Sequence, residues 1–203
     1  MKTVLIIQAR MGSTRLKGKV LKKIVGQPMI GLILTRLSRC QEVDEVVVAA
    51  SEENENDKLQ AVVEDYGYKC ARGSEMDVLK RFYNAAKASS AKIVIRITGD
   101  CPLSDPNLID QCIREFRHSN VDYYSNINPA TYPDGLDVEV MTMGSIERAN
   151  KEATSEYDRE HVTSYIRSSE LFSKGCLAND RDYSEFRWTV DELEDLAVVT
   201  NVF

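Results

Sequence analysis

The sequence predicts an α/β fold, a doubly wound and mainly parallel sheet with helices on both faces and a small lobe attached. Three observations predict it: short apolar runs that end at polar loops, four segments of one helical spacing between and after them, and a glycine-containing loop directly after the first run. At 203 residues with 43% hydrophobic content, the chain is long enough to bury one full core. The expected organisation is one domain over residues 1–203, with residues about 120–145 projecting as a lobe. The pattern is still helical at Val202-Phe203, which implies a natural C-terminus further on.

Thr3 to Gln8 reads as a buried strand because an apolar run stops at a polar loop, and the runs Glu45 to Ala50 and Lys92 to Ile97 read the same way. Ile30, Ile33, Leu34 and Leu37 repeat at i, i+3, i+4 and i+7. So do Leu59, Val62, Val63 and Tyr66, then Leu79, Phe82, Tyr83 and Ala86, then Ile109, Cys112, Ile113 and Phe116. Each set is one stripe of an amphipathic helix. Pro28 suits the first turn of the first helix, and Asp105-Pro106 suits the N-cap and first position of the fourth. A short strand, Tyr68 to Ala71, precedes the third. Past residue 120 the regularity falls. An alternating strand Asp137 to Met143, helices near Ser145 to Ala153 and Ser155 to Ser169, and a strand-like Phe186 to Val190 are expected. Strand–helix alternation implies right-handed crossovers, with ligands bound beyond the carboxyl ends of the strands.

Composition excludes several function classes. No apolar run approaches the roughly 20 residues that cross a bilayer, and the first strand reaches a polar residue too early for a signal peptide, so a cytoplasmic protein without membrane partners is expected. Five cysteines, none in a C-x-x-C pair, suggest neither a disulfide framework nor a zinc knuckle. With only His118 and His161 as imidazoles, metal chemistry must rest on carboxylates and hard ions. The net charge of −6 argues against nucleic acid as partner. It hides an asymmetry: residues 1–41 hold nine cations and no acid, while the remainder sets 17 cations against 32 acids.

Four of those cations fall in the loop Gln8-Ala9-Arg10-Met11-Gly12-Ser13-Thr14-Arg15-Leu16-Lys17-Gly18-Lys19. Glycines let a backbone approach phosphate closely, hydroxyls and amides donate to its oxygens, and Arg and Lys neutralise its charge. The loop is not a Walker A motif. Five residues instead of four separate Gly12 from Gly18-Lys19, and Val20 stands where a magnesium-binding hydroxyl is needed.

The loop does resemble the CTP-binding motif of the CMP-sugar synthetases, the acylneuraminate and ketodeoxyoctonate (KDO) cytidylyltransferases and their spore coat polysaccharide relatives. Further stretches carry the likeness in order along the chain: Arg72-Gly73-Ser74, Arg96-Ile97-Thr98-Gly99-Asp100, Pro133-Asp134-Gly135-Leu136-Asp137-Val138-Glu139, Arg159-Glu160-His161-Val162-Thr163, and Arg187-Trp188-Thr189-Val190-Asp191. The resemblance implies a nucleotide-diphospho-sugar transferase variant of the Rossmann fold that moves CMP from CTP to a sugar or sugar acid. It implies that Arg10 and Lys19 hold the triphosphate, with Ala9, Gly12, Ser13 and Arg15 shaping the loop. Arg72, Gly73 and Ser74 would meet the base, and Asp100 and Asp191 would bind Mg²⁺. Thr98, Asp134, Asp137, Glu139, Arg159 and His161 would face the acceptor, and the lobe would pair two copies in a homodimer. Lys17 departs from the proline that relatives carry, and Thr98 from the larger amide of KDO-specific ones.

From the residues alone, Asp100 is a strand-end carboxylate after a glycine, open either to metal binding or to turn formation. Asp191 could equally cap the next helix. Asp137-Val138-Glu139 imitates the D-x-D element of metal-dependent glycosyltransferases, and alternation would place both acids on one face of a strand, in a cleft or in solvent. A glycosyltransferase and a non-catalytic homologue therefore stand as alternatives.

Overall fold

The computed structural model describes residues 1–203. The strands are β1 (Thr3–Gln8), the two-residue hairpin β2 (Lys23–Ile24) and β3 (Gln27–Pro28), β4 (Glu45–Ser51), β5 (Lys69–Gly73), β6 (Ile93–Thr98), β7 (Tyr123–Ser125), β8 (Glu139–Thr142) and β9 (Lys174–Cys176). The helices are α1 (Met29–Leu37), α2 (Asp57–Asp65), α3 (Val78–Ala88), α4 (Pro106–Ser119), α5 (Met143–Glu152), α6 (Glu156–Glu160), α7 (Ser164–Ser168) and α8 (Leu193–Val202).

Seven strands form one sheet in the order β5-β4-β1-β6-β8-β7-β9. Only β8 runs against the others. After β1 the chain builds outward to β4 and β5, then returns to lay β6 on the other side of β1. That reversal is a topological switch point, where helix N-termini and loops part and leave a crevice.

Alternation along β1 explains the layers. Leu5 and Ile7 join a core of 29 buried residues with α1, α2 and α4, while Val4 and Ile6 join a second core of 19 with α3, α5 and α7. Most residues of the four predicted stripes are buried there, because the 3.6-residue period turns them all to the sheet. Asp105 caps α4 as expected, its carboxylate accepting from the Asn107 amide at 2.9 Å.

Several expectations are corrected. Pro28 is the N-cap of α1, not a residue of its first turn. The segment Ser155 to Ser169 is two short helices, broken at His161–Thr163 by a positive φ of 56° at Val162. Phe186 to Val190 forms a single bridge, Arg187 to Asp134, and no strand. Residues 120–145 are not one projecting lobe: β7 and β8 belong to the main sheet, and only residues 126–138 leave it.

Candidate active site at the switch point

β1 and β6 end side by side, with Gln8 opposite Thr98. The loops that leave them pack so closely that a Cβ on Gly99 would lie 2.9 Å from the Ala9 Cβ. The loop after β1 folds back on itself: the Gly18 amide donates to the Met11 carbonyl at 3.1 Å, and Gly18 takes the left-handed conformation (φ 64°) that glycine tolerates. Lys19 then opens a 3₁₀ turn pointing at the end of β6.

Its ammonium lies 2.9 Å from Asp100 Oδ2 and 2.8 Å from Asp191 Oδ1, joining a strand end to the approach of α8. Arg15 reaches the same Asp191 oxygen at 3.0 Å, and Arg187 donates to Asp191 Oδ2 at 2.7 Å. Burial alone would push both carboxyls up and the ammonium down. The mutual charges outweigh it, so Asp100 and Asp191 are held below the usual carboxylate range and Lys19 above the usual ammonium value.

Asp191 does not cap α8. Glu192 and Asp195 form the capping box, and Asp195 Oδ2 also accepts from the Asp191 amide at 2.8 Å, which leaves the Asp191 carboxylate free for the cations. A cavity of about 340 Å³ opens over this cluster, lined by Arg10, Ser13, Arg15, Lys19, Thr98, Asp100 and Asp191 and closed on another side by Glu160 and His161. Arg10 meets Glu75 at 2.8 Å, and the space a Cβ would take at Gly12 lies 3.0 Å from Glu55 Oε1. The loop therefore holds internal anions against its cations.

Two carboxylates from separate elements converging on one positive centre make a donor set suited to a hard divalent ion that completes its shell with water and phosphate oxygens. The Lys19 ammonium stands at that convergence.

Other expected site residues lie elsewhere. The Arg72 guanidinium is held by the Ser51 carbonyl, Asp57 and Gln60. Gly73 is required by Arg81, whose Cγ would meet an added Cβ at 3.0 Å, and Ser74 Oγ accepts from the Asp77 amide. Arg159 chelates Asp77 at 2.9 and 2.7 Å and donates to the Asn150 carbonyl, fastening α6 to α3 and α5. Asp134 faces Arg187 at 3.4 Å.

Asp137 and Glu139 do not share a face. Asp137 precedes the strand and is exposed, whereas Glu139 is 3% exposed and accepts from Arg96, Tyr123 and Thr163. With its oxygens so occupied, Glu139 is no metal ligand, and the D-x-D reading loses its second acid.

Sequence reasoning missed Glu75, Arg187 and Asp195. The last had a signal, since an acid three residues after Glu192 at a helix start is the spacing of a capping box. Arg187 had one too, since its shortest contact is with Asp191 four residues on, within the same motif; Glu75 had none, because its partner Arg10 is 65 residues away.

A doubly wound sheet whose first loop sets cations against two carboxylates at the switch point has the architecture of a nucleotidyltransferase. Within that class the chain belongs to the cytidylyltransferase family, whose model matches residues 4–197. It is 38% identical to the uncharacterized protein MJ1063 of Methanocaldococcus jannaschii, with 96% of this chain and 80% of that one aligned. It is 34% identical to the spore coat polysaccharide biosynthesis protein SpsF of Bacillus subtilis (94% and 81%). Identity is 28% to 3-deoxy-manno-octulosonate cytidylyltransferase 2 of Hydrogenovibrio crunogenus (98% and 73%). Among solved structures, a cytidylyltransferase from Leptospira borgpetersenii superposes with a TM-score of 0.95 at 33% identity, covering 100% of this chain and 88% of that one. The CTP complex of CMP:2-keto-3-deoxy-manno-octonic acid synthetase shares the fold at a TM-score of 0.79 and 18% identity, covering 100% and 98%.

Proposed function

We propose that this cytidylyltransferase moves CMP from CTP to a hydroxyl of a sugar or sugar acid, releasing pyrophosphate, in the synthesis of a surface or spore coat polysaccharide. The observation that carries the proposal is Lys19, held between Asp100 and Asp191 at the mouth of a cationic loop. The acceptor oxygen attacks the α-phosphorus, the new O–P bond forms, and the bond to the β-phosphate breaks. Arg10, Arg15 and Lys19 neutralise charge that grows on the phosphate oxygens, and Ser13 with the loop amides orients them. Arg72, Gly73 and Ser74 shape the β5–α3 loop beside the base. Mg²⁺ held by Asp100 and Asp191 would supply Lewis-acid stabilisation of the phosphates. Thr98 and His161, which line the cavity, would face the acceptor; Asp134 and Asp137 would approach it from the 126–138 excursion, while Arg159 and Glu139 would support that side through the contacts described above.

We place the enzyme in the cytoplasm as a homodimer. Five free thiols suit a reducing compartment.

The test is pyrophosphate release from CTP and Mg²⁺ with a panel of sugar acids. Turnover is expected with at least one acid and is expected to fall by about 10²- to 10³-fold in Asp100→Asn, with the melting temperature within a few degrees of wild type. Transfer from a nucleoside diphosphate sugar, with no pyrophosphate from any triphosphate, would establish the glycosyltransferase alternative instead.

A further inference from the structure

Val162 is β-branched and fully buried, yet its backbone has φ 56°. Such a conformation persists only where its surroundings over-determine it, and it is a reason to ask what the turn positions. The surroundings here are firm. Thr163 Oγ1 donates to the buried Glu139 at 2.6 Å, Glu139 is fixed in turn by Arg96 and Tyr123, and Val162 itself packs into the core around α3 and α5. On the other flank Arg159 is chelated by Asp77, and Ser155 caps the start of α6.

The residues beside this turn that line the cavity are Glu160 and His161. The other acids of the cavity are already occupied: Asp100 and Asp191 accept from Lys19, and Asp191 also from Arg15 and Arg187. His161 is the one imidazole lining the cavity, and its ring lies against Tyr157 with centroids 4.3 Å apart.

We propose that His161 is the proton acceptor for the attacking hydroxyl, held at the cavity by the strained turn at Val162. The proposal rests on the transfer reading above. As the acceptor oxygen forms its bond to the α-phosphorus, its proton passes to the imidazole. The bond between the α-phosphorus and the bridging oxygen breaks with its electron pair leaving on pyrophosphate, and the imidazolium later returns its proton to solvent. Tyr157 and Asp158 face His161 on its own helix, while Arg10, Arg15, Lys19, Asp100 and Asp191 face it across the cavity.

The test compares His161→Gln with wild type, measuring kcat and kcat/KM against pH and CTP affinity by calorimetry in Mg²⁺ buffer. The expected result is a kcat lowered by about 10²- to 10⁴-fold, CTP affinity unchanged within about twofold, and loss of the limb on which wild-type kcat/KM falls toward acid pH. Unchanged CTP affinity also shows that the variant is folded. A variant that keeps the acid limb, or whose loss lies wholly in the acceptor KM, would overturn the assignment of His161 and leave the transfer reading standing. A wild type that releases no pyrophosphate from any triphosphate would overturn both.

Discussion

Lys19 is the only side chain that touches both carboxylates, and its loss leaves two like charges facing one another. Lys19→Met is expected to lower turnover by about 10²- to 10³-fold. It should also lower the melting temperature at pH 7, and the gap to wild type should close as pH falls through the carboxylate range, because protonation relieves the repulsion; circular dichroism melts at pH 4 and 7 check this. Asp137 has the opposite sign. Burial of its surroundings, then Asp134 and Glu139, push its carboxyl up to about 6 although the residue itself reaches solvent. A folded value above the unfolded one means that the folded state binds more protons between about pH 4 and 6, so stability falls as pH rises through that window. Asp137→Asn is expected to remove that part of the slope and to raise the melting temperature at pH 8. Asp100 was readable as a strand-end carboxylate, whereas the roles expected of Lys19 and Asp191 came from the family resemblance, since spacing alone left Asp191 open as a helix cap. The commitments of Arg72, Arg159 and Glu139 were not legible, since a motif shows which charges are present but not which buried partner has claimed them.

The elements that aim these residues are short, and their ends matter more than their lengths. Asp195, in the first turn of α8, holds the Asp191 and Glu192 amides at 2.8 and 2.9 Å and also meets Arg187. Asp195→Ala is expected to cost about 1 kcal/mol of stability, as other lost caps do, and to raise the Mg²⁺ concentration needed for half-maximal turnover by freeing Asp191. A metal titration of activity reads this directly, and an unchanged midpoint would show that the Asp191 backbone is held without it. Helices α1 to α4 were readable because one periodicity covers each of them. The break at Val162 was not, since the positive φ of this buried valine accompanies its packing in the second core and the bond from neighbouring Thr163 to Glu139, which no local pattern encodes. The same holds for the single bridge at Arg187, whose alternating neighbours imitate a strand.

At the scale of the molecule, the sheet order decides where chemistry can occur. Placing β6 beside β1 brings Lys19, Asp100 and Asp191 together from positions 81 and 172 residues apart. The alternation of strands and helices foretold that crevice. The reversed β8 and the return of β7 into the main sheet were hidden in the irregular stretch past residue 120, where short strands and aromatic residues carry little periodicity. The proposed function requires the cationic loop and the two aspartates to act as a joint site for a metal-bound triphosphate. Calorimetric titration of CTP with and without Mg²⁺, in wild type and in the double variant Asp100→Asn, Asp191→Asn, tests it most directly. Mg²⁺ is expected to tighten CTP binding at least about tenfold, roughly 1.4 kcal/mol, in wild type and to have no effect in the double variant; an equal Mg²⁺ enhancement in both proteins would contradict the claim.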